Sequence, residues 1–336
     1  MDAPTAWPEV RFAPRRLAHV NMYVADLDAS FAFYHDVCGL ELVFDESAIM
    51  ARFLSNGNSH HDVALMGVND RELRGRDGEV QKTSGRGSRP GLNHLAFEMA
   101  TEAELVAGIG RMRAAELSVA RLWDHQISRS AYVSTPWQVD LELYADSHRD
   151  WRGLYASLEG ELLTEVWDPD AEPPSDEHRY VDTFDPLPPA GAAVRPVRTC
   201  SATIVVDDLP AAIAYYERIV GLTVLAADPG VDGWAVLGGT LGLPDLTVLA
   251  AVGDQPVGFH HLSLEVADGD ELEASIARVE DAGVGIERRV EHPLKRSIVL
   301  RDPDGVPVEI VHHRPRPADP SSWFDGFVPP ARDYVL

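Results

Sequence analysis

Residues 17–43, LAHVNMYVADLDASFAFYHDVCGLELV, return 182 positions later as residues 199–225, TCSATIVVDDLPAAIAYYERIVGLTVL. Both stretches open with an alternating apolar strand and start a helix at an Asp-Leu pair. Both then run through an amphipathic segment to a Cys-Gly-Leu or Val-Gly-Leu stop and end in a second strand. The shared offset sets Asp26 against Asp208, Tyr34 against Tyr216 and Gly39 against Gly221. Further on, GLNHLAFEMATEAEL from Gly91 matches GFHHLSLEVADGDEL from Gly258 at an offset of 167, which holds through Glu142 and Glu309. The offsets differ by 15 residues, so the first copy carries a longer loop, expected in the Arg- and Gly-rich stretch Gly67 to Pro90. Each copy reads as two strand-helix-strand-strand-strand units. The fold class is α+β, with two tandem domains and four βαβββ units.

A chain of 336 residues has the length of two domains. The repeat places the first at 15–148 and the second at 197–313, with an interdomain connector at 149–196 and a C-terminal tail at 314–336. The connector starts with Trp151, Tyr155 and Trp167 before turning Pro- and acid-rich, which is too aromatic for a free linker. Trp323, Phe324 and Phe327 give the tail the same character, so docking on a domain is expected. Acidic residues number 54 against 29 basic ones, a formal charge of −25 that repels phosphate backbones and anionic lipid. No nucleic acid and no membrane partner is expected, and highly charged anionic substrates are disfavoured. Only Lys82 and Lys295 among the basic residues are lysines, a bias that reads as composition. The start MDAPTAWPEV lacks a basic n-region and an apolar h-region, and no apolar run approaches the ~18 residues of a membrane span. A soluble, cytoplasmic protein is the expectation. Cys38 and Cys200 cannot build a disulfide framework and read as free, buried thiols.

Three polar residues interrupt apolar strands of the first copy: His19 in LAHVNMYV, His94 in LNHLAFE and Glu142 in VDLELY. A strand histidine by itself is an ordinary hydrogen-bonded core residue. The repeat shifts the balance, because His94 and Glu142 recur as His261 and Glu309 while His19 becomes Ser201. Two histidines and a carboxylate from three strands suit one face of a metal octahedron, the donor set of Fe(II) with Mn(II) as an alternative. A set shared between copies, His19 with His261 and Glu309, is a further arrangement. His61 begins HDVALM, read as a strand running toward His94, and Tyr132 stands ten residues before Glu142; the second copy has LTVLA and Val299 there. His125, Arg129 and Ser130 recur as His292, Arg296 and Ser297. In isolation, Tyr132 reads as a half-buried strand residue and His61 as a loop-edge histidine beside His60.

The four-unit pattern resembles the vicinal oxygen chelate superfamily, and the first copy resembles its type I extradiol catechol dioxygenases. The resemblance implies metal ligation by His19, His94 and Glu142 and an acid-base role for His61. It also implies contact of Tyr132 with the substrate oxygens and help from His125 in binding substrate. The implied reaction is Fe(II)-dependent extradiol opening of a catechol-type aromatic by O2, in an enzyme expected to be a homo-oligomer. The fold resemblance covers about 15–148 and 197–313, the site resemblance only the first copy. Two departures stand out. Known two-domain members carry the metal in the C-terminal domain. The Asp-Pro-Asp-Gly turn, kept at Asp302 to Gly305, reads Ser134-Thr135-Pro136-Trp137 in the first copy. A metal-dependent isomerase or lyase of the glyoxalase kind, and a non-enzymatic small-molecule-binding protein, are the alternatives. The Arg/Gly insert (Arg71, Arg74, Arg76, Arg86, Arg89) and Arg129 are the groups available to offset the acidic field locally.

Overall fold

The computed structural model describes residues 7–158, 164–181, 186–228, 233–292 and 295–314. The tail aromatics lie outside these residues. The first unit is β1 (Arg16–Val24), α1 (Leu27–Ala32), β2 (Glu41–Glu46), β3 (Ala51–Ser55) and β4 (Val63–Gly67). A small hairpin, β5 (Leu73–Arg74) and β6 (Val80–Lys82), fills the insert. The second unit is β7 (Gly91–Glu98), α2 (Glu102–Ala114), β8 (Arg121–Asp124), β9 (Ser128–Ser134) and β10 (Asp140–Asp146). The connector adds α3 (Trp151–Ser157) and β11 (Glu165–Val166). The pattern then repeats as β12 (Pro196–Val206), α4 (Leu209–Tyr215), β13 (Thr223–Asp228), β14 (Trp234–Gly238) and β15 (Leu246–Ala250). It closes with β16 (Gly258–Val266), α5 (Gly269–Asp281), β17 (Arg288–His292), β18 (Lys295–Arg301) and β19 (Pro307–His313).

The strands build two half-barrel sheets, ordered β11-β8-β9-β10-β7-β1-β4-β3-β2 and β13-β14-β15-β12-β16-β19-β18-β17. In each, the first strands of the two units lie side by side, β1 with β7 and β12 with β16, so the four βαβββ units are as read from the repeat. Helix starts are fixed locally. The Asp26 carboxylate accepts the backbone N–H groups of Asp28 and Ala29, Asp208 accepts that of Ala211, and Thr101 and Asp268 cap α2 and α5. The first helix of each copy widens into a π-helical turn, Phe33–Val37 and Tyr216–Val220, before its glycine stop. Gly39 and Gly221 have φ of 78° and 87°, and a Cβ on either would collide with backbone, that of Val194 and that of Ala13 respectively. These contacts lie where each domain's entering segment hydrogen-bonds to the first helix of the other domain: Ala193 N to Asp36 O, Ala13 N to Val220 O.

The two domains face each other with approximate two-fold symmetry. Leu17 N donates to the Asp245 carboxylate at 3.0 Å and Thr199 N to that of Asp62 at 3.5 Å, with Leu17 and Thr199 matched in the repeat. The departure at the last turn sits in this interface. Asp304 accepts Ala25 N at 3.0 Å, Asp302 accepts the Tyr34 hydroxyl at 3.2 Å, and in the first copy the Trp137 indole donates to Asp207 at 3.0 Å. The turn is an interdomain contact in both copies, and Trp137 replaces a carboxylate acceptor with an indole donor.

One strand expectation is corrected. The strand begins at Val63, not at His61, and pairs with β1 and β3 instead of running toward His94. The Asp62 carboxylate accepts Ser55 Oγ and Asn56 N, both at 2.9 Å, and these bonds hold a tight bend that carries His60 and His61 ahead of the strand.

Candidate metal centre

Sheet register brings the three strand ligands together. Ala96 on β7 is the register partner of both His19 on β1 and Glu142 on β10, while His94 sits two residues from Ala96 on the same face. A small side chain at the centre of this row leaves space between three larger polar ones. His19 Nε2 lies 3.1 Å and His94 Nε2 2.8 Å from Glu142 Oε2. Donors held about 2.1 Å from a metal at right angles lie about 3 Å apart, which is this spacing. All three side chains are buried. His94 Nε2 makes no aligned hydrogen bond among the described residues despite its short approach to the carboxylate. A buried nitrogen left unsatisfied beside a carboxylate and a second imidazole fits a divalent first-row metal cation. A second trio, His19, His60 and His61, also lies within ligating range. It offers no carboxylate, and His60 Nδ1 is committed to Asp146 at 3.1 Å.

His61, His125 and Tyr132 surround the same point. Tyr132 is the register partner of Glu142, so both project from one face. Its hydroxyl lies 3.1 Å from His125 Nε2, and His125 Nδ1 lies 2.8 Å from Thr164 Oγ1 of the connector. The His61 ring packs on His19 at 3.9 Å between centroids, and both its nitrogens are buried without a hydrogen-bond partner among the described residues. One cavity of about 890 Å³, its mouth included, is lined by all six residues.

The electrostatics follow from burial. It pushes His19 and His125 each down to about 4 and His61 well below the ordinary imidazole value, so all three are neutral near pH 7. Burial works to raise the Glu142 pKa, but His94 and His19 outweigh it and hold the carboxyl well below its usual range. Burial, then the Glu142 charge, pushes Tyr132 well above 10, which keeps the phenol protonated as a donor.

The shared ligand set is not formed. His261 Nε2 lies 3.2 Å from Thr203 Oγ1, and Glu309 accepts Lys295 Nζ at 2.6 Å, Ser297 Oγ at 2.6 Å and Ser263 Oγ at 2.8 Å. The lysine cation stands where a metal would, on the same carboxylate position of the second sheet. Sequence reasoning treated the lysine scarcity as composition, yet Lys82 and Lys295 are only 5% and 3% exposed. That scarcity was the available signal. A compact ammonium fits these buried sites, and a guanidinium is larger and flat. The sequence also left the insert unplaced, and here Leu73, Gln81, Lys82 and Arg86 of the insert line the cavity. Its hairpin is clasped to the connector through Arg76 N to Thr164 O at 2.9 Å and an Arg76–Glu165 ion pair at 2.7 Å. Arg129, by contrast, is held by Glu102 and Asp124 away from the cavity.

Among the described residues no helix is long and apolar enough to cross a membrane. The family model for the Glyoxalase/Bleomycin resistance protein/Dioxygenase superfamily matches residues 16–143 and 199–310. A 49-residue stretch is 37% identical to the catechol-2,3-dioxygenase of Bacillus subtilis (strain 168), covering 15% of this chain and only 17% of that enzyme's length. The fold is similar to the Mn(II)-bound glyoxalase from Novosphingobium aromaticivorans (TM-score 0.62, 15% identity, 90% of this chain and 84% of that one). It is also similar to a halotolerant catechol dioxygenase (TM-score 0.60, 13% identity, 90% and 88%). A variant of homoprotocatechuate 2,3-dioxygenase from Brevibacterium fuscum aligns with TM-score 0.63 at 18% identity over 95% of this chain and 77% of that one. With both halves of its repeat matched by one family model, this chain belongs to the Glyoxalase/Bleomycin resistance protein/Dioxygenase superfamily.

Proposed function

We propose that this protein is an extradiol dioxygenase that opens a catechol-type ring beside its two hydroxyls and incorporates both atoms of O2. The observation that carries the reading is the convergence of six residues on one cavity: His19, His94 and Glu142 as metal ligands, with His61, His125 and Tyr132 around them. His19, His94 and Glu142 would hold Fe(II), which would supply redox chemistry for activating catechol and dioxygen, and Mn(II) fits the same donors.

His61 is a neutral imidazole with a free, buried nitrogen, suited to take a catechol proton and to return it to a product oxygen. The Tyr132 phenol donates a hydrogen bond to the substrate oxygen that gains charge. His125, anchored by Thr164, aims that phenol and borders the ring. Phe53 and Trp123 supply apolar wall for an aromatic substrate, and their burial of the ring excludes water from the reacting bonds.

Anaerobic loading with Fe(II), followed by a panel of catechols and air, tests the reading through oxygen uptake and the yellow ring-opened product. A His61→Ala variant should keep its metal and lose turnover. The similarity to a Mn(II)-bound glyoxalase supports a second reading, an isomerase or lyase that uses no O2. Absence of uptake with every catechol would favour it.

A further inference from the structure

We propose that the substrate of this cavity carries an anionic substituent, a carboxylate on a short chain, bound by Arg121 and Arg86. This rests on the proposed catechol chemistry for the other end of the molecule. Arg121 on β8 is the register partner of Tyr132 on β9, which is in turn the partner of Glu142 on β10. It therefore projects from the same face two strands beyond the candidate ligand, about 10 Å at ordinary strand spacing, with Tyr132 on the strand between and one cavity lined by all three. The Arg121 guanidinium rests against Trp123 and Tyr132, 5.0 Å and 5.1 Å from their ring centroids. Rings hold its flat faces and leave its edge for a planar anion.

The local charge is unbalanced. Arg86, delivered by the insert, donates to Asp140 at 2.8 Å and to Asn93 Oδ1 at 3.0 Å. Arg121 reaches the same Asp140 oxygen only at 3.6 Å, so two guanidiniums share one carboxylate. Arg121 Nε is buried with no hydrogen-bond partner among the described residues, and the Gln81 amide in the same cavity has neither its oxygen nor its nitrogen paired. Lys82, the third cation of the lining, is already satisfied by the carbonyl oxygens of Asn69 and Arg71 and by Asn69 Oδ1. Burial and the neighbouring Arg86 both depress the Arg121 pKa, the effect of an excess positive charge taken out of water. A carboxylate accepting from the Arg121 edge would pair the surplus charge and the orphaned N–H together. The expectation drawn from the acidic net charge, that charged anions are disfavoured, does not hold at this wall: the cavity is locally cationic.

The test compares the Fe(II)-loaded protein on 3,4-dihydroxyphenylacetate and 3,4-dihydroxybenzoate with 4-methylcatechol, and measures by calorimetry the binding of the non-reacting 4-hydroxyphenylacetate and 4-methylphenol. The inference expects kcat/KM for at least one acid to exceed that for 4-methylcatechol by tenfold or more. In Arg121→Gln that ratio should fall about 10–100-fold, the range for a lost hydrogen bond to a charged group. Arg86→Gln should lower it as well, because Asp140 then loses its nearer partner and is left to pair with Arg121 in the substrate carboxylate's place. Each ratio is internal to one variant, so a partly unfolded sample cannot mimic the result. Equal use of acidic and neutral catechols, with a ratio unmoved by either substitution, overturns the inference and leaves the dioxygenase reading standing. Selective calorimetric binding of 4-hydroxyphenylacetate, lost in Arg121→Gln, with no oxygen uptake from any catechol, supports the anion site and overturns the dioxygenase reading instead.

Discussion

The two half-barrels solve one electrostatic problem in different ways. Each places a glutamate on the last strand of its second unit, buried and facing the hollow of the sheet: Glu142 in the first, Glu309 in the second. A buried carboxylate must be compensated. In the second domain Lys295 and two serine hydroxyls do this permanently, and the pocket around them is small. In the first domain Ser128 occupies the position of Lys295, His19 that of Ser201, and an 890 Å³ cavity opens beside the carboxylate. The same backbone is thus an internally paired support on one side and a cation-ready site on the other. A carboxylate buried at this strand position needs a cation beside it, supplied by a side chain in one domain and left to a candidate site in the other.

This contrast can be broken in several ways. The largest effect is expected from His19→Ala, which should bring bound metal and turnover below detection by metal analysis and oxygen electrode. A variant with stoichiometric iron and full activity would show the first site is misassigned. Next is Lys295→Met, which leaves Glu309 buried and unpaired and should cost about 3–5 kcal/mol in denaturant unfolding. Adding Glu309→Leu should recover most of that loss, and failure to do so would mean the pair is not the support described. Third, Tyr132→Phe should lower kcat on the order of 10²-fold with metal content unchanged. Loss of metal in that variant would assign the phenol to ligation instead.

The smallest effect is a pH dependence. Burial works to raise the Glu309 pKa, but Lys295 and His261 outweigh it and hold the group at about 2 against an ordinary value of 4.5. A depressed folded-state value means the contribution is present above 4.5 and is lost as pH falls toward 2. Between pH 5 and 3.5 the loss is about 1 kcal/mol. The Glu309→Leu/Lys295→Met protein should lack that component in unfolding curves measured across the same range.

Much of the fold was legible because duplication prints itself twice. The offsets 182 and 167 locate four units, and the sheets are ordered as that pattern requires. His19, His94 and Glu142 could be picked out because each breaks an apolar alternation, and a polar residue on the inward face of a strand needs a reason. His61 was harder: the strand starts two residues later, and the position of the imidazole depends on the bend organised by Asp62. Arg121 carried no mark in one dimension, since a charged residue is read as solvent-facing unless something shows it to be buried; Arg86 was marked only as part of the insert and Lys295 only by the scarcity of lysine.

The sequence by itself determined the repeat, the strand and helix order and the residue types capable of holding a metal, because periodicity and capping are local properties of the chain. Only the tertiary structure decided which histidine joins which carboxylate, where the Arg/Gly insert lies and that Lys295 pairs with the buried carboxylate of the second half. Those depend on the register of strands distant in sequence and on burial. Burial turns an ordinary lysine or arginine from a solvated charge into one that must find a partner.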